Sequence, residues 1–334
     1  MKKIDLITRN IIEVVKESEL KKLLKKKKNP SVYCGYETSG PVHIGTMLSL
    51  NKLLDFQEAG LKVKILLADF HTWLNMKGSL DWIESSVEYW KHCCKALGLK
   101  GEFVLGKDFQ MKNEYIKDLL TLSQDTTLNR ALRSMQKVAR DIEHAHVSQV
   151  IYPLMQAVDI KHLDLDIAYG GIEQRKIHML AREHLETINF KPPVCLHSPL
   201  IVSLKGPEVK MSSSEPDSMI MIHDSPEVIK DRIQGAYCTT DDIEGNPVLQ
   251  IARYLIFPRL EKIKIERLEK FGGDIEYKSY KKLEKDFKKG DLHPADLKSG
   301  VSNALIELLK PVRDYFEKKP EARKAMKTVL NKKK

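Results

Sequence analysis

SVYCGYETSGPVHIGTMLSLNKLLDFQEAGLKVKILL, residues 31–67, decides the fold. Ser31 to Tyr36 is rich in strand formers and reads as a strand. Ser39-Gly40-Pro41 breaks it, and a helical stretch follows with Ile44, Met47, Leu48 and Leu54 inward, stopping at Gly60. Val63, Ile65 and Leu67 then alternate with Lys62, Lys64 and Leu66, which predicts a second strand. Strand, turn, helix, glycine stop and strand make a βαβ unit, for which a right-handed crossover is expected.

Working outward, Leu165 to Tyr169 reads as another strand, followed by Gly170-Gly171 and a helix from Glu173 with Ile177, Leu180, Ala181 and Leu185 inward. The first two-thirds is therefore read as α/β with a parallel sheet. Residues 112–146 interrupt the alternation as a mostly helical segment. The first 28 residues look helical, with Ile4, Ile7, Ile11, Val14 and Val15 near one stripe, and end in Lys25 to Lys28 before Asn29-Pro30. From Asp224 onward strand signals fade. Val301, Ala304, Leu305, Leu308, Leu309, Val312 and Phe316 predict an amphipathic helix, bent or broken at Pro311. The boundary is placed near residue 222, giving domains 1–222 and 223–334 with a frayed end at Lys332 to Lys334.

The chain has 334 residues, 42% apolar and 31% charged, which suits a folded protein of roughly two domains. Its 56 Lys+Arg against 46 Asp+Glu leave +10, a balance that leans towards a polyanionic partner. No apolar run approaches the roughly 18 residues that span a bilayer. The five cysteines form no C-x-x-C pair, so neither a disulfide framework nor a zinc site is indicated. The reading is a cytoplasmic protein with reduced thiols, no membrane contact and no protein-bound metal.

Two motifs carry phosphate chemistry. Gly40-Pro41-Val42-His43-Ile44-Gly45-Thr46 lies where a strand turns into a helix, whose free N–H groups and positive dipole end favour phosphate. His43 can donate to a phosphate oxygen, and Gly45 lets a nucleotide approach the backbone. Lys210-Met211-Ser212-Ser213-Ser214 sits in a polar stretch, 205–216, suited to a triphosphate whose charge grows during reaction. Separately, Tyr152, Gln156 and Asp159 share one helix face in an apolar segment, where buried polar groups need partners.

A HIGH-like motif followed by KMSSS resembles the class I aminoacyl-tRNA synthetases, and the chain is similar to the tyrosyl-tRNA synthetase family of archaeal and eukaryotic cytoplasmic type. The resemblance runs from about Ile7 to Lys318. It is carried also by Tyr33-x-Gly35-x-Glu37, Leu66-Leu67-Ala68-Asp69-Phe70-His71, Ile151 to Gln156, Gly170-Gly171-x-Glu173-Gln174-Arg175-Lys176 and Leu292-His293-Pro294-x-Asp296. It implies a Rossmann-like catalytic domain with a helical insertion, then a mainly α-helical anticodon-binding domain, in a homodimer.

By the same resemblance, Asp159 and Tyr33 read the substrate hydroxyl, while Tyr152, Gln156 and Gln174 hold the ammonium group. Leu66, His71, Phe109 and Gln110 line the pocket. Gly35, Glu37, His43, Gly45, Thr46, Asp166, Gly170, Lys210, Met211 and Ser212 to Ser214 form the ATP site, with Asp166 and Gly170 at the ribose and Cys34 close to it. His43, Gly45, Lys210, Ser212 and Ser213 support the chemistry, with Mg²⁺ accompanying ATP. Arg133, Arg175 and Lys176 contact the tRNA acceptor stem, and Phe271, His293 and Asp296 hold the first anticodon base. Thr46 departs from the histidine usual at the motif's fourth position. Three rivals stand beside this reading: a tryptophan–tRNA ligase, a catalytically idle RNA-binding relative and a small-molecule adenylyltransferase.

Overall fold

Val14 and Val15 open a sheet rather than continuing a helix. In this computed structural model, which describes residues 2–136, 144–209, 216–240 and 242–331, the first 28 residues form α1 (Lys3–Thr8), β1 (Glu13–Val15) and α2 (Glu17–Lys26). Asn10 and Lys16, both at φ 57, interrupt the helical path. The β-branched pair lies antiparallel against Leu196 and Cys195, where stiff side chains suit a strand. The single helix expected there is thus split in two by an edge strand.

The remaining strands of this sheet are β2 (Ser31–Tyr36), β3 (Lys62–Leu67), β4 (Glu102–Leu105), β5 (Ile167–Gly171) and β6 (Val194–Ser198). Among the described residues the order is β1-β6-β5-β2-β3-β4, and every pair except β1–β6 is parallel. The helices up to residue 184 are α3 (Ile44–Glu58), α4 (Asp69–Leu74), α5 (Leu80–Ala96), α6 (Asn113–Asp125), α7 (Leu128–Met135), α8 (Val147–His162) and α9 (Arg175–His184). The chain winds outward from β2 through β3 to β4, then returns to build β5 and β6 on the other side. The order therefore reverses between β2 and β5, and in such sheets ligands bind beyond the carboxyl ends of the strands at that switch. The two strands pair only at Val32 with Ile167 and Tyr33 with Ala168.

Tyr33, Leu66, Ala168, Leu154, Val158, Leu180 and Leu185 belong to one buried apolar cluster joining the sheet to α8 and α9. The predicted strand and helix of residues 31–67 are present. The expected strand 165–169 is displaced to Ile167–Gly171, and the helix expected from Glu173 begins as a 3₁₀ turn, Ile172–Gln174, before α9.

The chain packs as two units: Met1–Ser39, Lys52–Lys91 and Gly98–Pro199 in the first, and Gly40–Asn51, His92–Leu97 and Leu200–Lys334 in the second. The second thus begins upstream of residue 222. The cause is backbone pairing around the first phosphate motif: Ile44 N–H donates to Ile220 O at 2.9 Å, Ile222 N–H to Val42 O at 3.1 Å, and His43 bridges Met221.

The rest of the second unit contains α10 (Pro226–Gly235), α11 (Pro247–Ile251), α12 (Phe257–Leu260), α13 (Tyr280–Lys289), α14 (Pro294–Lys318) and α15 (Pro320–Leu330). It also holds a hairpin of β7 (Ile263–Ile265) and β8 (Ile275–Tyr277), which the fading strand signal did not reveal. The spine is α14, which buries Val301, Leu305, Leu309, Val312 and Phe316. Of the bend or break expected at Pro311, there is no break: the helix runs on through that residue. Gly300 lets α14 approach β7, since a Cβ would lie 2.6 Å from Ile265 Cγ1.

Asp166 closes the amino-terminal end of the β2–β5 pair. Its Oδ2 accepts from Ser31 N–H at 2.8 Å and pairs with Lys27 at 2.6 Å, and its Oδ1 pairs with Lys191 at 2.5 Å. Asp166 was expected at the ATP ribose. It lies instead at the end of the strands opposite the switch-point mouth, with its carboxylate buried and both oxygens occupied. Burial works against its charge, but hydrogen bonds from Lys191, Lys27 and Ser31 outweigh that and bring its pKa down to about 2. The stabilisation is fully present above the ordinary carboxylate value and is lost as pH falls through about 2. Asp166→Asn is expected to lower the unfolding free energy by about 2 kcal/mol at neutral pH. Urea titrations should show that difference shrinking as the pH approaches 2.

Candidate active site

The parting of β2 and β5 leaves Tyr33 at the last paired position, and α8 crosses beside it. A helix places Tyr152, Gln156 and Asp159 on one side, and the structure brings them to a pocket shared with α4, α6 and the turn Gly106–Asp108. Asp159 is fully buried. Its Oδ1 accepts from Gln110 Nε2 at 2.8 Å and from Tyr115 Oη at 2.8 Å. Its Oδ2 has no donor and lies 3.7 Å from His71 Nε2.

Tyr33 Oη, His71 Nε2, Gln110 Oε1 and Asp159 Oδ2 are buried here without hydrogen-bond partners. Leaving such atoms unpaired costs about 1–3 kcal/mol each, so their clustering marks a site built for a polar ligand. Gln110 Nε2 also contacts His71 Nδ1 at 3.3 Å. With Nδ1 accepting, the imidazole carries its proton on Nε2. Burial lowers the His71 pKa to about 4, so the ring is a neutral donor at physiological pH. The Asp159 pKa is pushed up to about 7, chiefly by burial, against the lowering hydrogen bonds of Gln110 and Tyr115 and with the charge of Asp69 adding to the rise. A hydroxyl, which both donates and accepts, satisfies Asp159 Oδ2 with one function and Tyr33 or His71 with the other.

Leu66 is buried beside this cluster, and Phe109 packs edge-on against Tyr115 with ring centres 5.6 Å apart. The Tyr152 ring meets the His71 ring edge-on at 4.6 Å. Gln156 Nε2 donates to Gln174 Oε1 at 3.2 Å, so the side chains assigned to an ammonium group do meet. Glu37 accepts from Asn75 at 2.9 Å and pairs with Lys77.

Gly35 is exposed near the end of β2 and Gly170 is buried near the end of β5. With Asp166 at the far end, the acidic residue beside the Gly170-Gly171 pair is Glu173, whose carboxylate lies over the Gly171 backbone. Burial raises the Cys34 thiol pKa to about 12, which leaves it unreactive. In the second unit, His43 Nδ1 accepts from Gly45 N–H at 3.2 Å, which places the ring proton on Nε2. Burial lowers the His43 pKa to about 4, so it is also a neutral donor. Thr46 is half-buried on the first turn of α3. Lys210, Met211, Ser212, Ser213 and Ser214 lie outside the described residues.

Arg133 is exposed on α7, which meets α9 where Ser134 Oγ donates to Lys176 O at 3.4 Å. Arg175 Nε donates to both Glu13 oxygens at 2.8 Å, and Lys176 Nζ to Gln136. Glu13 in turn accepts from His197 Nδ1 at 2.7 Å, and His197 Nε2 accepts from His178 Nδ1 at 3.0 Å. In the second unit, Phe271 is exposed, and Arg267 links its loop to the approach to α14 through Gly273 O at 3.0 Å and Asp291 O at 3.4 Å. His293 caps α14, its Nδ1 accepting from Ala295 N–H at 3.2 Å, and Asp296 is half-buried on the first turn.

Tyr115 is absent from the residues expected at the site, and Glu173 was quoted in a motif without a role. Tyr115 stands outside every motif; only its place in the inserted helix, as an aromatic with a polar tip, could have flagged it. Gly106 protects the arrangement, since a Cβ there would collide with Gln110 Oε1 and Asp69 Oδ1. Gly106→Ala is expected to displace Gln110 and to weaken ligand binding in this pocket about tenfold by calorimetry. Gly235→Ala, where nothing lies within 4 Å, should bind as the unaltered chain does.

The chain matches the family model for class I tRNA synthetases (W and Y) over residues 25–310. It is 51% identical over 320 residues to the tyrosine–tRNA ligase of Methanococcoides burtonii, covering 95% of this chain and 100% of that protein. It is 50% identical over 314 residues to the tyrosine–tRNA ligase of Methanopyrus kandleri, covering 93% of this chain and 96% of the relative. Its fold is similar to the crystal structure of Archaeoglobus fulgidus tyrosyl-tRNA synthetase complexed with L-tyrosine, with TM-score 0.91, 49% identity and coverage of 94% of this chain and 98% of that one. A sheet that reverses at β2 and β5, a pocket built to bind a hydroxyl and these matches along nearly the whole length place the chain in the class I tRNA synthetases of W and Y type, among the tyrosine–tRNA ligases.

Proposed function

We propose that the pocket between β2 and α8 binds L-tyrosine through its phenol and ammonium groups and presents its carboxylate to ATP. The chain is a tyrosine–tRNA ligase. The tyrosine carboxylate attacks the α-phosphate of ATP, forming tyrosyl-adenylate and releasing pyrophosphate. A ribose hydroxyl of the terminal tRNA adenosine then attacks the adenylate carbonyl, and AMP leaves. No protein nucleophile is needed, so catalysis is positioning and charge stabilisation.

The observation that carries the tyrosine reading is the set of unpaired buried atoms around Asp159 Oδ2. The phenol proton goes to that oxygen, and the phenol oxygen accepts from Tyr33 or His71. Tyr152, Gln156 and Gln174 receive the ammonium group. In the first unit Gly35, Glu37 and Gly170 are assigned to ATP; in the second, His43, neutral and protonated on Nε2, donates to a phosphate oxygen, and Gly45 and Thr46 are assigned to ATP beside it. Glu173 replaces Asp166 as the acceptor for the ribose hydroxyls. Lys210 and Ser212 to Ser214 meet the leaving phosphates, and Mg²⁺ arrives with the nucleotide.

Residues 1–222 form the catalytic part and 223–334 the anticodon-binding part. Arg133, Arg175 and Lys176 serve the acceptor stem. Exposed Met111, Leu120, Leu128 and Val147, all in or beside the inserted segment, support a homodimer formed there. No helix among the described residues is long and apolar enough to cross a membrane.

Pyrophosphate exchange assayed with all twenty amino acids is expected to respond to tyrosine. Asp159→Ala should cut activity with tyrosine far more than with phenylalanine, because only tyrosine uses the lost acceptor. Equal losses with both would make Asp159 structural and end this reading. In the second unit, Asp296→Ala is expected to reduce aminoacylation and flatten the preference for guanine at the first anticodon position, with tRNA-independent exchange intact. Retained base preference would remove Asp296 from that role.

A further inference from the structure

The two oxygens of Asp159 stand in unlike surroundings. Oδ1 receives two donors, Gln110 and Tyr115, each at 2.8 Å, and Oδ2 receives none. Tyr115 is fully buried on α6, 44 residues from Asp159 in the chain, and its ring is held between Phe109 at 5.6 Å and His162 at 4.9 Å. Its hydroxyl oxygen also lies 2.9 Å from Met155 O. One hydroxyl has one proton. An ionised carboxylate makes the stronger bond, so the proton goes to Oδ1 while Asp159 is charged and is free to turn to Met155 O once it is not.

We propose that Tyr115 is a positioning residue for amino-acid specificity: it holds Asp159 ionised and turns Oδ2, rather than Oδ1, to the substrate hydroxyl. The inference rests on the phenol-reading role of Asp159. Two donors on one oxygen fix the rotation of the carboxylate, so the remaining oxygen has a single direction in which to accept. Charge is held by the same contact. The groups facing Asp159 are Gln110, Tyr115, neutral His71, Tyr33 and Tyr152, with the charge of Asp69 adding to the penalty of burial. Gln110 and Tyr115 supply the hydrogen bonds that oppose that penalty. Removing the Tyr115 hydroxyl therefore raises the pH at which Asp159 ionises.

Tyr115→Phe keeps the ring and its packing. In the full chain, kcat/KM for pyrophosphate exchange would be measured with tyrosine and with phenylalanine between about pH 6 and 9, spanning the ionisation of Asp159. At neutral pH the variant should lose about tenfold with tyrosine and less than about twofold with phenylalanine. Its activity with tyrosine should recover as the pH rises, the acid limb of the profile moving up by about one pH unit. In an Asp159→Asn background, where no carboxylate remains to be held, Tyr115→Phe should add no further selective loss. Equal losses with both amino acids at every pH, an unmoved acid limb, or full additivity with Asp159→Asn would each overturn the proposal. If Asp159→Ala itself fails to discriminate between the two amino acids, the phenol reading is what falls. If Asp159→Ala discriminates while Tyr115→Phe behaves as the unaltered chain, only the role of Tyr115 falls.

Discussion

The brevity of one strand pairing governs the first unit. β2 and β5 meet at two register positions and then part. Asp166 ties their amino-terminal ends together through Ser31, Lys27 and Lys191, and Asp164 O accepts from Ser31 Oγ at 2.7 Å in the turn that joins α8 to β5. That tie sets where α8 ends relative to β2, and so where Asp159 falls relative to Tyr33. The closed end supplies the rigidity that lets the open end hold polar side chains in fixed directions.

Those side chains illustrate how a fold carries destabilising groups for a ligand's sake. Asp159 is buried without a counter-charge at Oδ2, and His71 is buried neutral with its donor unused. In a site with no ligand to bind, an apolar pair of similar shape would be the more stable choice. The same atoms explain discrimination. On the proposed reading, phenylalanine would fill the apolar walls of Leu66, Phe109 and Tyr33 and leave the polar set unpaired, whereas tyrosine would complete it. His43 follows a related logic: burial removes its charge and the Gly45 N–H fixes its tautomer, leaving one directed donor.

At the sheet edge, β1 holds a basic side chain in place. Glu13 takes Arg175 through Nε, and its own orientation is fixed by His197 and, behind that, His178. Glu13 accepts a hydrogen bond from His197, whose other nitrogen accepts one from His178, so one carboxylate sets both tautomers. An arginine held by Nε keeps its outer fork free for a partner's phosphate or base edge. The short strand that replaced the expected N-terminal helix is what brings Glu13 there.

Local pattern was enough to read the βαβ unit of residues 31–67, because alternation, a glycine stop and helical spacing are properties of neighbouring residues. The Tyr152–Gln156–Asp159 face was legible for the same reason. The failures share a cause as well. Val14 and Val15 fit a helical stripe until β6 offers them a partner, and Pro311 allows a bend or a break where α14 in fact continues. Asp166 and Glu173 are both acids near a glycine pair, and only the strand direction shows which end of the sheet each occupies. Composition and periodicity therefore determined the class of fold, and the family resemblance carried by the motifs implied the chemistry it serves. Which oxygen of Asp159 lacks a donor, at which end of the sheet Asp166 lies and which tyrosine bonds Asp159 were decided by tertiary contacts between residues far apart in the chain, whose distances no local pattern encodes.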